Sequence, residues 1–351
     1  MYESKKKHPN VKALFALVME SVNRTLEIDR LCKTFTILQD NAGLDQNLAF
    51  ILICELLWGK GTLAGESRPV KTIQHYQKRL QSAVKNDQQK SKSQVANPRY
   101  ARVNLLKTNL REVLRTLAAD DFYEVKYDIE STTYKEYLSL VKSLEVGQFV
   151  VDYHIENLLV FATGTHFYDY HLYLNGSIIL QDKASCFPVA ALQIKPGCVA
   201  LDACSAPGMK TSQLAAAVED GRVIAIERDF KRCQTLKKVL SDCGANENVT
   251  VRNCDFLATN PEEFQDVEYI VVDPSCSGTG MTHREGTSNC SEDRLAKLAE
   301  MQIKILSHAL AFPNVKRVAY STCSVTEEEN EKVKSKLTKI FAKSICYSMF
   351  S

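Results

Sequence analysis

Hydrophobic positions in the first third of the chain follow a helical period. The stretches "VKALFALVMESV" and "LDQNLAFILICELLWGKG", within residues 11–60, repeat apolar residues every three or four positions, and the second ends on glycines. A polar stretch rich in Gln and Lys, "KNDQQKSKSQVANP", comes later and is typical of a linker. Residues 1–96 are therefore predicted to form a helical N-terminal domain that ends in a basic linker.

The pattern changes at Arg99, where short apolar runs begin to alternate with helical stretches. "RYARVNLL" and "FYEVKYDI" predict strands, and "TNLREVLRTLAAD" and "TYKEYLSLVKSL" predict helices. Residues 97–175 are therefore predicted to form a small α/β module.

From residue 176 onward strands and helices alternate regularly. The apolar runs "CVALDA", "RVIAIE", "NVTVRN", "EYIVVD" and "RVAYST" predict strands, and most of the segments between them have helical spacing. Such alternation is typical of the α/β class, with a doubly wound, mostly parallel sheet of Rossmann-like type. Residues 176–351 are therefore predicted to form one such domain.

Ligands of open parallel sheets bind outside the carboxyl ends of the strands, so the residues at those ends are the candidates for chemistry. Two of the predicted strands lead into cysteine-bearing turns, "DPSCSGTG" and "YSTCSV". The polar residues at the strand ends are Asp202, Glu227, Asp255, Asp273, Cys276 and Cys323.

Cysteine and histidine usage argues against a structural metal site. The 351 residues include 12 Cys and seven His, but no CxxC and no HxxxH pair occurs. No apolar run reaches the roughly 18 residues that span a membrane, and the N-terminus lacks the apolar core of a secretory signal. We expect an intracellular protein with no metal and no membrane partner, in which a disulfide between Cys276 and Cys323 is disfavoured.

Net charge is distributed unevenly along the chain. Residues 1–96 hold 15 Lys and Arg against nine Asp and Glu, a charge of +6, while the whole chain carries +2. A basic N-terminal region favours a polyanionic partner, although for any single lysine a solvated helix face is the alternative.

The turn after the first strand of the parallel sheet, "LDACSAPGMKT", contains neither the GxGxxG dinucleotide fingerprint nor the GK[ST] ending of a P-loop. Its small residues still allow backbone amides to approach a ligand at a helix N-terminus. Glu227 is placed to accept hydrogen bonds from ribose hydroxyls, and Asp255 is placed to contact the adenine amine. These features suit an adenosine ligand without a pyrophosphate, such as S-adenosylmethionine; the alternative is that each acid only caps a helix.

The motifs "ALDACSAPGMKT", "DPSCSGTG" and "YSTCSV", in this order on successive strands, resemble those of the Nop2/Sun family of RNA cytosine carbon-5 methyltransferases. "RVNLLKTN", "LYLNGSIILQDKASCFP" and "ELLWGKG" are similar to the group of its fifth member, the large-subunit ribosomal RNA methylases. The resemblance runs from about residue 5 to about residue 335. It implies an S-adenosylmethionine-dependent RNA methyltransferase of the nucleus and nucleolus that works as a monomer in ribosome biogenesis.

The resemblance also implies roles for single residues. Cys323 matches the nucleophile that attacks carbon 6 of cytosine, and Cys276 the cysteine that assists release of the methylated RNA. DNA cytosine methylases use a Pro-Cys thiol as nucleophile instead, so the two roles require a test. Asp273 and Lys210 are the other expected catalytic residues. The expected cofactor contacts are Cys204, Ser205, Ala206, Pro207, Gly208, Met209, Lys210, Glu227, Arg232, Asp255 and Asp273.

Two positions depart from the family pattern. Met209 stands where many members have glycine or asparagine, and Glu227 where this group often has aspartate. We expect the RNA to be held by basic residues of the N-terminal helices, by Lys85, Lys90 and Lys92 of the linker, and by the strand "RYARVN" of a small RNA-binding module.

The family closes its sheet with two further strands, and "AKSICYSMFS" after the helix "TEEENEKVKSKLTKIF" is too short for both. We expect truncated C-terminal strands, an uncovered sheet edge and slower turnover. The alternative function is a ribosome-assembly factor that binds RNA and has weak or no catalysis. An amine-directed methyltransferase would want an aromatic residue after the proline, which "DPSC" does not supply.

Overall fold

The apolar spacing of the N-terminal region produces helices in the structure, a computed structural model that describes residues 11–90, 97–281 and 290–338. These helices are α1 (Val11–Asn23), α2 (Thr25–Thr34), α3 (Ile37–Asp40), α4 (Gln46–Leu57) and α5 (Arg68–Lys90). Ile28, Ile53 and Leu80 lie fully buried in their shared core. The unit thus owes its stability to one apolar face on each of several short helices.

Helix α5 runs further than the sequence pattern predicts. It ends at Lys90, so the first six residues of the predicted linker, "KNDQQK", are helical. Gln and Lys are good helix formers, which favours continuation of the helix beyond the buried Leu80 and Val84. The linker prediction is therefore wrong for residues 85–90, and residues 91–96 lie outside the described part of the chain.

The second unit, within residues 96–281 and 287–351, begins with a mixed five-stranded sheet. Its elements are β1 (Arg99–Val103), α6 (Leu110–Ala119), β2 (Tyr123–Glu124), α7 (Tyr134–Ser143), β3 (Gln148–Val151), β4 (Leu158–Phe161), α8 (His171–Leu174) and β5 (Ile178–Leu180). The strand order is β2-β3-β4-β1-β5, with β1 antiparallel to both of its neighbours. This arrangement is the small α/β module.

Two details of this module differ from the prediction. The strand predicted over "FYEVKYDI" covers only Tyr123–Glu124 in the structure. Both side chains are exposed, so pairing at this edge of the sheet buries little apolar surface. The module also extends past residue 175, because Ile178 pairs with Val103 and β5 completes the sheet. The predicted boundary at 175/176 is therefore misplaced.

A second sheet of five parallel strands follows. Its elements are α9 (Lys183–Ala191), β6 (Val199–Asp202), α10 (Met209–Val218), β7 (Arg222–Ile226), α11 (Phe230–Cys243), β8 (Val249–Arg252), β9 (Val267–Val272), α12 (Glu292–Leu310), β10 (Arg317–Tyr320) and α13 (Glu331–Thr338). The order β10-β9-β6-β7-β8 confirms the predicted doubly wound, Rossmann-like class. It also puts the switch point between β6 and β9, where such sheets bind ligands.

The C-terminal helix begins five residues later than predicted. Helix α13 starts at Glu331, whereas the pattern predicted helix from Thr326. The side chains of Glu329 and Asn330 point to neighbouring turns and hydrogen-bond them, which holds this segment in a non-helical turn. The residues on which the truncated closing strands were predicted, 342–351, lie outside the described part of the chain. Within the described ranges, every helix is too short or too polar to span a lipid bilayer.

A buried arginine joins the two sheets. Arg102 of β1 is 0% exposed and donates to Gln181 Oε1 at 2.8 Å, to Ser212 Oγ at 2.9 Å and to the carbonyl of Met209 at 3.4 Å. Burial lowers its pKa, and no partner among the described residues accepts from its Nη1. Arg102 therefore fixes the first turn of α10 to the small sheet.

We predict that Arg102→Ala destabilises the protein by on the order of 3–5 kcal/mol, because it leaves a cavity and unpaired buried acceptors. Arg99→Ala is the matched control: Arg99 is exposed on the same strand, so its loss is expected to cost no more than about 0.5 kcal/mol. Urea unfolding of both variants measures the difference. Equal losses would show that Arg102 does not join the sheets.

Candidate active site

The turn between β6 and α10 brings backbone to the switch point of the sheet. Gly208 has a φ of +115°, and a Cβ there would lie 3.0 Å from Leu236 Cδ1, so the turn needs glycine. Ser205 Oγ donates to the carbonyls of Asp202 and Ile226, at 2.9 and 3.0 Å. The expected cofactor residues from Cys204 to Met209 thus form a turn that is held by the ends of β6 and β7.

Asp202 is buried beneath this turn and accepts hydrogen bonds from it. It is 1% exposed, accepts from Thr211 Oγ1 at 2.7 Å and accepts from the backbone of Cys204 at 3.3 Å. Burial, followed by the nearby charge of Asp273, raises its pKa to about 6, although the bond from Thr211 opposes the shift. The same burial, with the charge of Asp202, raises the pKa of Cys204.

Glu227 lies beside the turn with much of its acceptor capacity still open. It is 5% exposed, and its oxygens accept from the backbone of Asp229 at 2.8 Å and of Ala206 at 3.3 Å. Arg232 donates to the carbonyl of Ala206 at 2.7 Å and lies 3.6 Å from the Glu227 carboxylate. The structure therefore groups Ala206, Glu227 and Arg232 beside the turn.

Asp255 has a capping role in the structure. Its Oδ1 accepts from the backbone of Leu257 and begins the one-turn 3-10 helix Phe256–Ala258, while Oδ2 lies 3.7 Å from Arg228. One carboxylate oxygen is thus used for the cap, and a contact to adenine stays a prediction.

Asp273 and Lys210 form an ion pair at the carboxyl end of β9. Lys210 Nζ lies 2.8 Å from Asp273 Oδ2 and donates to Ser185 Oγ at 3.2 Å, and Ser321 donates to Asp273 Oδ1 at 2.7 Å. Burial alone would lower the pKa of Lys210, but the charge and hydrogen bond of Asp273, with smaller effects of Cys323 and Asp202, raise it. The lysine is therefore a fixed positive charge at neutral pH.

The two cysteines lie next to each other on the turns after β9 and β10. The backbone N–H of Cys323 donates to Cys276 Sγ at 3.3 Å, and Gly280 donates to the carbonyl of Cys323 at 2.9 Å. Cys323 is exposed, whereas Cys276 is half-buried. A thiol–thiol hydrogen bond to Cys323, followed by burial, raises the pKa of Cys276. The pair is thus chemically unequal.

The structure describes only some of the residues that are expected to hold RNA. Arg99 is exposed, but Arg102 is fully buried between the sheets, so the expectation that it contacts RNA is wrong. The side chains of Lys85, Lys90 and Lys92 lie outside the described part of the structure. Within the described residues no group of three or more His, Cys, Asp or Glu side chains could hold a metal ion.

Sequence reasoning missed two hydroxyl groups that complete the charged pair. Ser185, at the start of α9, contacts Lys210, and Ser321, next to the Thr-Cys pair, contacts Asp273. Ser321 lies inside the quoted motif "YSTCSV", but a serine after a strand carries no signal of its own. Ser185 is far away in the sequence, and only the fold brings it to the site.

Comparison with known proteins assigns all three parts of the chain. The family model for the N-terminal domain of NOL1/NOP2/Sun domain family member 5 matches residues 12–97, and that for its ferredoxin-like domain matches residues 97–181. The model described as 16S rRNA methyltransferase RsmB/F matches residues 189–344. A 28S rRNA (cytosine-C(5))-methyltransferase of Drosophila melanogaster is 38% identical over 335 residues, which are 93% of this chain and 76% of that protein.

The chain belongs to the NOL1/NOP2/Sun domain family, in the group of its member 5. A second relative in that group, the 25S rRNA (cytosine-C(5))-methyltransferase rcm1 of Schizosaccharomyces pombe, is 36% identical and covers 95% of this chain, with 73% of its own length matched. Among solved structures, PH0851 superposes with a TM-score of 0.62 at 18% identity, covering 96% of this chain and 83% of its own. That likeness supports the fold alone.

The raised pKa of Asp202 gives this NOL1/NOP2/Sun site a testable pH dependence. A carboxyl that holds its proton up to about pH 6 when folded, against a usual 3.8, stabilises the fold most at low pH and loses that contribution as the pH rises through 6. Asp202→Asn can keep both contacts, with its Oδ1 accepting from Cys204 and its amide N–H donating to Thr211 Oγ1, and it does not titrate. We predict that the stability of Asp202→Asn relative to wild type grows by on the order of 2 kcal/mol between pH 4 and pH 7.

Urea unfolding of both proteins across that pH range provides the measurement. If the free energies of unfolding of the two proteins changed in parallel with pH, the pKa of Asp202 would be ordinary and its burial would not shift it.

Proposed function

We propose that the chain is an S-adenosylmethionine-dependent RNA (cytosine carbon-5) methyltransferase that acts on large-subunit ribosomal RNA. One observation carries the proposal: two unequal thiols, Cys276 and Cys323, meet beside the Lys210–Asp273 pair. The relatives, which are named as 28S and 25S rRNA methyltransferases, support ribosomal RNA as the substrate. An assembly factor without turnover would have no use for this pair of thiols.

The turn after β6 and Glu227 fit the adenosine part of S-adenosylmethionine, which supplies the methyl group as a sulfonium. Each Glu227 oxygen accepts one backbone N–H, and each has a second acceptor position for a ribose hydroxyl. The backbone from Cys204 to Met209 would hold the rest of the cofactor at the N-terminus of α10, and Asp255 would face the adenine amine.

Cys323 is the nucleophile in this proposal. Carbon 5 of cytosine attacks a methyl group poorly, but a thiolate that adds to carbon 6 makes carbon 5 electron-rich. The carbon–sulfur bond forms at Cys323 because its thiol is exposed, whereas the raised pKa of Cys276 keeps that thiol neutral. Once carbon 5 carries the methyl group, a base takes its proton, the electron pair of that C–H bond restores the ring double bond, and the carbon–sulfur bond breaks so that Cys323 recovers its electron pair.

Lys210, Asp273 and Cys276 have supporting roles in this proposal. The permanent positive charge of Lys210 favours the thiolate form of Cys323. Asp273, fixed by Lys210 and Ser321, can accept the exocyclic amine of a cytosine that has left its stack. Cys276, as a neutral thiol in contact with Cys323, is placed to donate a hydrogen bond to the departing sulfur and so to stabilise it as a thiolate.

RNA contacts outside the catalytic turns are proposed for the basic N-terminal region and the exposed Arg99. That the protein works as a monomer stays a prediction from the family resemblance, and that it works without a metal ion stays a prediction from the sequence. Residence in the nucleolus rests on the family relationship and stays a prediction.

We predict that cells without this gene lose one methylated cytosine of large-subunit ribosomal RNA, detected by bisulfite sequencing. Wild-type protein restores the mark and Cys323→Ala does not, because no other thiol reaches carbon 6. Cys276→Ala is the matched control: it retains the nucleophile and accumulates a stable protein–RNA adduct, since release is impaired. An adduct with Cys323→Ala but not with Cys276→Ala would reverse the two roles, and an unchanged mark would reject the function.

A further inference from the structure

Glu329 is a buried carboxylate whose hydrogen-bond donors, among the described residues, are all neutral. It is 0% exposed and lies in the turn between β10 and α13. Its Oε1 accepts from the backbone of Ser277 at 3.0 Å and from Gln302 Nε2 at 2.8 Å, and its Oε2 accepts from Ser277 Oγ and, at 3.3 Å, from Thr326 Oγ1. A carboxylate is rarely buried without such a set of donors, because the isolated charge is costly.

The surroundings favour the ionised form of Glu329. The Ser277 N–H and the Gln302 amide can only donate, so a proton on Oε1 would face another hydrogen, and the two hydroxyls at Oε2 donate to the carboxylate as well. Burial alone would raise the pKa of Glu329, but hydrogen bonds from Ser277, Ser324 and Gln302 lower it. The carboxylate is therefore a permanent acceptor at neutral pH.

The first turn that this acceptor fixes is the one that carries Cys276. Ser277 directly follows that cysteine and is held by Glu329 through both its N–H and its hydroxyl. Ser275 directly precedes it, and the second hydrogen of Gln302 Nε2 is donated to the Ser275 carbonyl at 3.1 Å. Both peptide neighbours of Cys276 are thus tied to Glu329, one directly and one through Gln302.

The same network reaches the turn that carries Cys323. Ser277 Oγ lies 3.1 Å from Ser324 Oγ, so the hydroxyl bound to Glu329 also contacts the residue after Cys323. Asn330, next to Glu329, accepts from Thr322 Oγ1 at 2.8 Å and donates to the Ser324 carbonyl at 2.9 Å. Glu329 and Asn330 therefore hold the residues on both sides of each cysteine.

We propose that Glu329 is a positioning residue that sets the distance between the Cys276 and Cys323 thiols, an inference that rests on the proposed function. It acts through Ser277 and Gln302, which hold the residues on either side of Cys276. Its charge draws the Ser277 N–H and hydroxyl inward and so presses the Cys276 turn against the Cys323 turn. The predicted consequence is a loss of methyl transfer without a loss of binding, because a shift of about 1 Å at reacting groups can cost on the order of a hundredfold in rate.

The test compares Glu329→Gln with Glu327→Gln. Gln fills the same space as Glu but turns an NH₂ toward one of the donors. Glu327 is an exposed acid two residues away whose carboxylate lies 4.0 Å from Lys332, so its change controls for loss of charge in this segment. The measurements are cofactor and RNA affinity, single-turnover methyl transfer, and the pH profile of Cys323 alkylation by iodoacetamide, followed on its peptide.

We expect Glu329→Gln to bind cofactor and RNA as wild type does, and to lose about tenfold to a hundredfold in single-turnover rate. The pH midpoint of Cys323 alkylation should rise, because the thiol of Cys276 no longer contacts that sulfur closely. Glu327→Gln should match wild type in all four measurements. If Glu329→Gln does not fold, Ser277→Ala provides the second test, because it removes one donor and leaves the carboxylate in place. It should bind cofactor and RNA as wild type does and lose less of the single-turnover rate than Glu329→Gln.

A folded Glu329→Gln with wild-type turnover and an unchanged alkylation profile would overturn the inference, as would Ser277→Ala with both unchanged. The alkylation profile needs no RNA, so it tests positioning even if the wild-type chain methylates no cytosine. A wild-type chain that methylates no cytosine would count against the proposed function and not against the positioning role of Glu329.

Discussion

Parallel pairing between β9 and β10 is the constraint on which the site depends. Val272 pairs with Tyr320, and the N–H of Ser321 continues the ladder by donating to the Val272 carbonyl at 3.0 Å. Both chains leave the sheet at the same edge, so the turns that follow have to share one small space. Cys276 and Cys323, 47 residues apart in sequence, become neighbours for this reason.

Buried carboxylates convert this topology into a defined geometry. Asp202 supports the turn after β6, Glu227 lies beside it, and Glu329 holds the two cysteine turns, and each of the three accepts hydrogen bonds from the turn that it contacts. Arg102 adds a tie from the small sheet to the first turn of α10 and so to Lys210. These hydrogen bonds lie within the protein, so they can position the reacting side chains without a bound ligand, as positional catalysis requires.

The sequence predicted the fold class and the strand ends because a parallel sheet leaves a strong signal, with apolar strands followed by polar turns. It failed where side chains override periodicity or where distant segments meet. The run "TEEENE" has the composition of a solvated helix start, yet Glu329 is buried and the helix begins only at Glu331. Arg102 looked like an RNA contact because a basic residue on a short strand carries no sign of burial. Ser185 and Gln302 became visible only once the fold had brought their elements together.

The most direct measurement of the central claim is the site of the covalent bond between protein and RNA. Ribosomal RNA that carries 5-azacytidine traps the carbon-6 adduct, and mass spectrometry of the digested complex locates the attached nucleotide. The account predicts the nucleotide on the peptide that contains Cys323 and none on the peptide that contains Cys276. A nucleotide on Cys276, or methyl transfer without any adduct to Cys323, would contradict it.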